Sequence, residues 1–171
     1  MQRNQLFENK GSGSFTEVGT ALGAGMLIEK SSRGAAFGDL DNDGDLDVLV
    51  VNMDDTPTLL RNDGGNRHNW LMVKLVDKGS NVDAIGSRVV VRQAGHTQTR
   101  EVHSGTGYIS QDDIRLHFGL GKAAEVEQLD VRWPNGEVES LRGIAPNRLI
   151  TIRRGEGIVA EGFDAVIRGA R

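Results

Sequence analysis

Five aspartates at alternate positions in residues 39–47 constrain this chain more than any other feature of its sequence. They are Asp39, Asp41, Asp43, Asp45 and Asp47, and Gly44 occupies the sixth position of the segment. Alternate residues of a tight loop can direct their oxygen atoms toward one centre, and glycine permits the sharp turn that such a loop needs. Carboxylates packed this closely would repel one another without a cation. The segment therefore predicts a metal-binding loop rather than a solvated acidic turn.

Calcium is the metal that this loop favours. Calcium takes six to eight hard oxygen ligands in a flexible shell, whereas magnesium is seldom held in a cage made wholly of protein atoms. An EF-hand would need a glutamate at position 12 and a helix on each side, but position 12 is Val50, inside an apolar run at residues 46–51. The loop is thus predicted to join two strands. Its candidate ligands are the carboxylates of Asp39, Asp41, Asp43 and Asp47 and the main-chain carbonyl of Asp45.

Most of the remaining chain shows the alternation of apolar and polar residues that is typical of half-buried antiparallel strands. The run at residues 46–51 is almost continuously apolar and predicts a strand covered on both faces. Asn135-Gly136 predicts a hairpin turn, and residues 123–128 are the one helix candidate. The alternating segments are residues 70–76, 88–92, 114–118 and 129–133.

Composition agrees with a turn-rich β protein, because 23 glycines accompany 3 prolines among 171 residues. A net charge of −4 without a basic stripe gives no reason to expect a nucleic-acid partner. The absence of cysteine excludes disulfides, thiolate metal sites and a cysteine nucleophile. No apolar run is long enough to span a membrane, and the first residues lack the apolar segment of a signal peptide, which is therefore not expected in this chain.

A short motif occurs twice. Residues 6–13 match residues 59–66, so that Leu6, Asn9 and Gly11 correspond to Leu59, Asn62 and Gly64. A repeat of about 40–50 residues in an all-β chain is typical of propeller blades. The repeat therefore favours a propeller-like organisation for the first part of the chain.

Residues 36–50 resemble the FG-GAP or VCBS-type repeat of integrin-like β-propellers. In that family Phe-Gly-Asp, here residues 37–39, closes one strand and the following aspartate-rich loop binds calcium. The resemblance implies that residues 1–66 are partial propeller repeats. It also implies that residues 5–15 and 58–66 form outer hairpins of such blades.

The next part of the chain resembles a second family, the ASPIC/UnbV domain, which follows FG-GAP repeats in secreted proteins. The departure from the family pattern is Val82, where an arginine is expected. The resemblance implies a domain at residues 69–154 and a secreted, extracellular or periplasmic protein, and residues 155–171 are left as a C-terminal tail. The matching segments are residues 69–71, 81–89, 104–111, 117–121 and 131–136.

These observations predict an all-β protein, with partial β-propeller blades that carry the calcium loop followed by an antiparallel β-sandwich-like domain of seven or eight strands. The predicted function is adhesion or binding of a protein or glycan partner, without catalysis. Two alternatives stay open: a carbohydrate-binding module, and an enzyme with a site near Tyr108 and Asp112. The pairs Asp54-Asp55 and Asp112-Asp113 are either solvated loop charges or a weak second ion site.

The histidines are scattered without metal-ligand spacing, which predicts surface or hydrogen-bonded roles for them. A blade cannot bury both of its faces alone. The apolar run at residues 46–51 therefore needs cover from the second domain, from further blades or from a second copy. This predicts self-association through the truncated edge of the propeller. The histidines are His68, His96, His103 and His117.

Overall fold

A computed structural model describes residues 1–163, and its main elements are fifteen β-strands. The described residues also contain three short 3-10 turns, at Gly19–Ala21, Ala24–Leu27 and Gly65–Arg67. The prediction of an all-β protein is confirmed. The strands of the first half are β1 (Gln2–Arg3), β2 (Phe7–Gly11), β3 (Ser14–Glu17), β4 (Glu29–Lys30), β5 (Ser32–Gly38), β6 (Asp47–Asn52) and β7 (Thr58–Leu60). Those of the second half are β8 (Asn69–Val76), β9 (Arg88–Gln93), β10 (His96–Glu101), β11 (Leu116–Gly121), β12 (Val126–Arg132), β13 (Val138–Ile144), β14 (Arg148–Arg153) and β15 (Gly157–Glu161).

The first half forms three small antiparallel sheets: β1 with β4, β2 with β3, and β5-β6-β7. The aspartate-rich loop joins β5 to β6. The last paired residues of that hairpin are Gly38 and Asp47, so the loop starts directly after one strand and ends at the beginning of the next. This is the strand–loop–strand arrangement that the sequence predicts.

The expectation that residues 46–51 are covered on both faces is wrong for the residues that the structure describes. Val50 is buried, but Leu49 and Val51 are 39% and 50% exposed. Both point to the same face because side chains alternate along a strand. Leu59, the cross-strand neighbour of Leu49, is 56% exposed on that face as well. The β5-β6-β7 sheet thus has an open apolar face formed by Leu49, Val51 and Leu59.

The second half has eight strands in two four-stranded sheets, β10-β9-β12-β13 and β11-β8-β14-β15. Apolar side chains from both sheets pack into one core, as in a β-sandwich. One pairing differs from the antiparallel prediction, because β14 runs parallel to β8. A hairpin cannot make a parallel pair, and β13, which precedes β14, lies in the other sheet. The largest fully buried core side chains include Trp133, Phe118, Leu71, Leu129, Ile150 and Ile152.

Two further segments differ from expectation. The helix candidate at residues 123–128 is wrong, since this segment contains a turn and then the start of β12, where Val126 is fully buried. Packing into the sandwich core overrides a weak local helical preference. β15 lies beyond residue 154 and pairs with β14, so part of the expected tail continues the sheet. The rest of that tail, residues 164–171, lies outside the described residues. The domain boundaries themselves stay predictions.

The predicted hairpin at Asn135-Gly136 joins β12 to β13. Gly136 has φ +91°, and its N–H donates to the Trp133 carbonyl at 2.9 Å. In the part of the chain covered by residues 1–163, no helix has the length and apolar character needed to cross a membrane.

Candidate functional site

Three carboxylates of the loop gather at one point. Each of Asp39, Asp41 and Asp43 offers an oxygen, and these oxygens all lie within 4.8 Å of one another. Asp39 is buried, whereas Asp41 and Asp43 are exposed. Among residues 1–163 this is the one group of three or more acidic, histidine or cysteine side chains that is close enough to hold a metal ion. The group is therefore buried on the side of Asp39, and its mouth is open to solvent on the side of Asp41 and Asp43.

Hydrogen bonds within the loop produce this arrangement. The two oxygens of Asp39 accept the N–H groups of Asp43, at 3.1 Å, and of Gly44, at 3.0 Å. Asp43 Oδ1 in turn accepts the N–H of Asp45 at 3.1 Å. Aspartate side chains that bond to nearby backbone N–H groups hold a chain in tight turns. The same spacing that places carboxylates at alternate positions therefore also folds the loop around them.

The other two predicted ligands, Asp45 and Asp47, lie outside this group of three carboxylates. Asp47 accepts the N–H of Leu40 through Oδ2 at 3.1 Å and the N–H of Asn62 through Oδ1 at 2.9 Å. Asp45 Oδ2 accepts the N–H of Gly65 at 3.0 Å. Both side chains therefore fasten the loop to residues 62–66. That segment is the second copy of the repeated motif, whose role at the site was not predicted from the sequence.

The electrostatics of the loop favour a bound cation. Burial raises the pKa of Asp39, although hydrogen bonds from the Gly44 and Asp43 N–H groups oppose this. Burial also raises the pKa of Asp45, and the neighbouring charge of Asp43 adds to that effect. Asp45 is only 2% exposed, yet its Oδ1 has no hydrogen-bond partner among the described residues. The hard oxygen atoms of Asp39, Asp41 and Asp43 and the negative charge crowded around them fit a divalent cation.

Residues of the sandwich domain complete the surroundings of the loop. Arg115 donates to the Asp39 carbonyl, His117 Nε2 donates to the Gly44 carbonyl, and the ring of Trp70 packs on Gly44. His117 thus has the hydrogen-bonded role expected of it, and Trp70 is buried but lies apart from the main core. No local signal in the sequence identifies these contacts, because they join residues far apart in the chain.

Three of the other candidate aspartates have structural partners. Asp112 Oδ1 accepts the N–H of Phe37 at 2.9 Å, Asp113 pairs with Arg115, and Asp55 pairs with Lys30. Three of the four aspartates in the pairs Asp54-Asp55 and Asp112-Asp113 thus have partners within the protein, and a weak second ion site at either pair stays a prediction. Tyr108 is 68% exposed. It lines a cavity of about 640 Å³ against the β5-β6-β7 sheet, whereas Asp112 lines a different one of about 360 Å³.

Two family models match the sequence, one in the part that carries the aspartate-rich loop and one in the β-sandwich. The FG-GAP-like repeat matches residues 1–50, and the ASPIC and UnbV domain matches residues 77–159. These matches confirm both predicted resemblances. The chain therefore combines an FG-GAP-like repeat with an ASPIC/UnbV domain, in that order.

The curated relatives share one name, cartilage acidic protein 1. The Homo sapiens protein is 30% identical over 138 residues, which cover 77% of this chain and 20% of the relative. The Xenopus tropicalis protein is 33% identical over 124 residues, which cover 68% of this chain and 19% of the relative. The chain thus spans about one fifth of the length of the relatives that it matches.

Proposed function

We propose that this chain is the calcium-binding part of an extracellular protein that binds a partner and has no catalytic role. The observation that carries the proposal is the convergence of Asp39, Asp41 and Asp43, whose oxygens lie within 4.8 Å of one another. Carboxylates gathered in this way repel one another, and a cation among them removes that repulsion.

The carboxylates of Asp39, Asp41 and Asp43 would hold the ion, and the Asp45 carbonyl and Asp47 are the further candidate ligands. The ion would neutralise the crowded carboxylates and stabilise the turn between β5 and β6. Its role is therefore structural. It would present the loop and the elements around it in one fixed conformation.

An extracellular location is supported by the relatives, whose name refers to cartilage, and by the secreted character that the ASPIC/UnbV resemblance implies. Calcium sites in extracellular modules commonly have dissociation constants of about 10⁻⁴–10⁻³ M. A loop whose mouth is open to solvent suits this range, since two of the three gathered carboxylates keep their access to water.

A binding role is supported by the loop that carries Tyr108 and Ile109, which are 68% and 87% exposed. Two adjacent exposed apolar side chains offer a contact to a protein or glycan partner. Asp112, the acidic residue of the catalytic alternative, is instead occupied by the Phe37 N–H and lines a different cavity from Tyr108. The geometry therefore favours binding over catalysis.

Isothermal titration with calcium tests the proposed site. We expect one ion per chain, with a dissociation constant on the order of 10⁻⁴–10⁻³ M. Asp41→Asn should weaken binding strongly because it removes one of the three gathered carboxylates. Asp83→Asn is the matched control, since Asp83 is exposed and lies in the connection between β8 and β9. Equal affinities for the two variants, or no binding by the unmodified chain, would contradict the proposal.

We further propose that the open face of the β5-β6-β7 sheet supports self-association. Leu49, Val51 and Leu59 form an exposed apolar patch, and such patches commonly mark interaction surfaces. Sedimentation velocity should show an average mass that rises with concentration. The double change Leu49→Thr and Val51→Thr should shift the protein toward the monomer, whereas Val138→Thr, at an exposed position of β13, should not. A monomer at every concentration would refute this proposal.

A further inference from the structure

The sandwich domain contacts the aspartate-rich loop on its main chain and on Asn42. Among the described residues, it makes no hydrogen bond to the three gathered carboxylates. From this geometry we infer that Arg115 is a positioning residue of the metal site, and that calcium binding and docking of the β8–β15 sandwich onto the loop stabilise each other. The inference rests on the proposed calcium function. It adds a regulatory property to that site: the ion sets how firmly the two parts of the chain are joined.

Arg115 uses its whole guanidinium group at this junction. Nη2 donates to the Asp39 carbonyl at 2.9 Å, and Nη1 donates to Asn42 Oδ1 at 3.0 Å. Nε donates to Asp113 Oδ2 at 2.5 Å, which fixes the plane of the group. The acceptors on the loop are a carbonyl and an amide oxygen. Arg115 can therefore hold the loop in shape without occupying the carboxylate oxygens that would bind the ion.

Gly44 is held from both sides. Its N–H donates to Asp39 Oδ2 at 3.0 Å, and its carbonyl accepts a hydrogen bond from His117 Nε2 at 2.8 Å. The rings of His117 and Trp70 are stacked, with centroids 6.2 Å apart and planes 16° from parallel. Trp70 lies so close to Gly44 that a Cβ there would be 2.1 Å from its ring. Gly44 thus connects Asp39, a candidate ligand of the ion, to the aromatic pair of Trp70 and His117 in the sandwich domain.

The strand that leads into the loop is also bound to the sandwich domain. The Phe37 N–H donates to Asp112 Oδ1 at 2.9 Å, and the Phe37 carbonyl accepts the Asp113 N–H at 2.8 Å. Asp113 therefore contacts β5 through its main-chain N–H, and it contacts Arg115 through its side chain. The junction extends from the end of β5 to the middle of the loop.

A coupling between ion and domain follows from these contacts. Calcium would order residues 39–44, and these are the residues that carry the acceptors for Arg115 and His117 and the surface under Trp70. Whatever favours the ordered loop favours docking, and by thermodynamic linkage docking favours the ion to the same extent. Weakening the junction should therefore lower calcium affinity, even though no ligand is changed.

Arg115→Lys in the full chain tests this inference. Lysine keeps the positive charge near the site but lacks the planar fork that bonds two acceptors at once. Loss of one or two hydrogen bonds made by a charged group should lower calcium affinity about fivefold to tenfold in isothermal titration. Arg92→Lys is the matched control, because Arg92 pairs with Asp130 in the other part of the sandwich, away from the loop. Equal affinities for both variants would overturn the inference.

A distance measurement tests the coupling without changing the junction. The chain has no cysteine, so spin labels can be placed on the single pair Met53→Cys and Val138→Cys, at exposed positions of the two halves. Calcium should narrow the distance distribution, and EDTA should broaden it. An unchanged distribution in a chain that binds calcium would overturn the coupling alone. Failure of the unmodified chain to bind calcium would overturn the proposed function together with this inference.

Discussion

Calcium at ten times its dissociation constant is expected to raise the melting temperature of this chain by about 3–6 °C. A ligand that binds only the folded state stabilises it by mass action, which amounts to about 1.4 kcal/mol at that concentration. For a protein of this size, each kcal/mol shifts the melting temperature by roughly 2–4 °C. Asp43→Ala should abolish the rise, because Asp43 is one of the three gathered carboxylates. Circular dichroism in calcium and in EDTA measures both melting curves.

The control for this experiment is Asp83→Ala. Asp83 is exposed and lies in the connection between β8 and β9, outside the loop and outside residues 62–66, so its removal changes the net charge as Asp43→Ala does. It should leave the calcium-dependent rise intact. Melting curves that are the same in calcium and EDTA for the unmodified chain would count against a structural ion.

Gly44→Ala is expected to destabilise the protein by roughly 2–5 kcal/mol. The new Cβ would meet three atoms of the Trp70 ring at 2.1, 2.3 and 2.4 Å, and overpacking of this kind commonly costs about 1–3 kcal/mol. Gly44 also has φ +99°, a conformation that costs an L-residue about 1–2 kcal/mol more. Chemical denaturation monitored by tryptophan fluorescence measures the change.

Gly79→Ala separates these two contributions. Gly79 has φ +83°, and no atom lies within 4 Å of the position that its Cβ would take. Its substitution should therefore cost only the backbone contribution, about 1–2 kcal/mol. If Gly44→Ala and Gly79→Ala destabilise the protein equally, the close approach of Trp70 is not a determinant of stability.

The aspartate-rich loop could be predicted from the sequence because its information is local. Alternate aspartates and one glycine are enough to specify both the turn and the gathering of Asp39, Asp41 and Asp43. The different contacts of Asp45 and Asp47 could not be predicted, since they depend on residues 62–66 lying against the loop. The same holds for Arg115, which is 73 residues from Asn42 and 76 from Asp39 along the chain.

The strands could likewise be predicted where the information is local, but their pairing could not. Alternation identifies β8, β9 and β12 because half-buried strands need one apolar side. Alternation does not say which strand lies beside which, and so it cannot distinguish the parallel β8–β14 pair from an antiparallel one. The prediction that β6 is covered on both faces was wrong for a related reason. An apolar run shows which side chains a strand could bury, but the burial itself depends on which elements pack against the strand.

The parallel pairing of β8 with β14 has a consequence for the order of events during synthesis. β8 is the first strand of the sandwich to leave the ribosome, but one of its two neighbours starts at Arg148, whose partner in β8 is Leu71. Until β14 emerges, one edge of β8 has no strand to pair with, and the apolar side chains of Leu71, Val73 and Leu75 lack part of their cover. Pairings between such distant segments form slowly and leave apolar strands exposed to aggregation in the meantime. The second domain must therefore complete its folding late, when nearly all of its strands have been made.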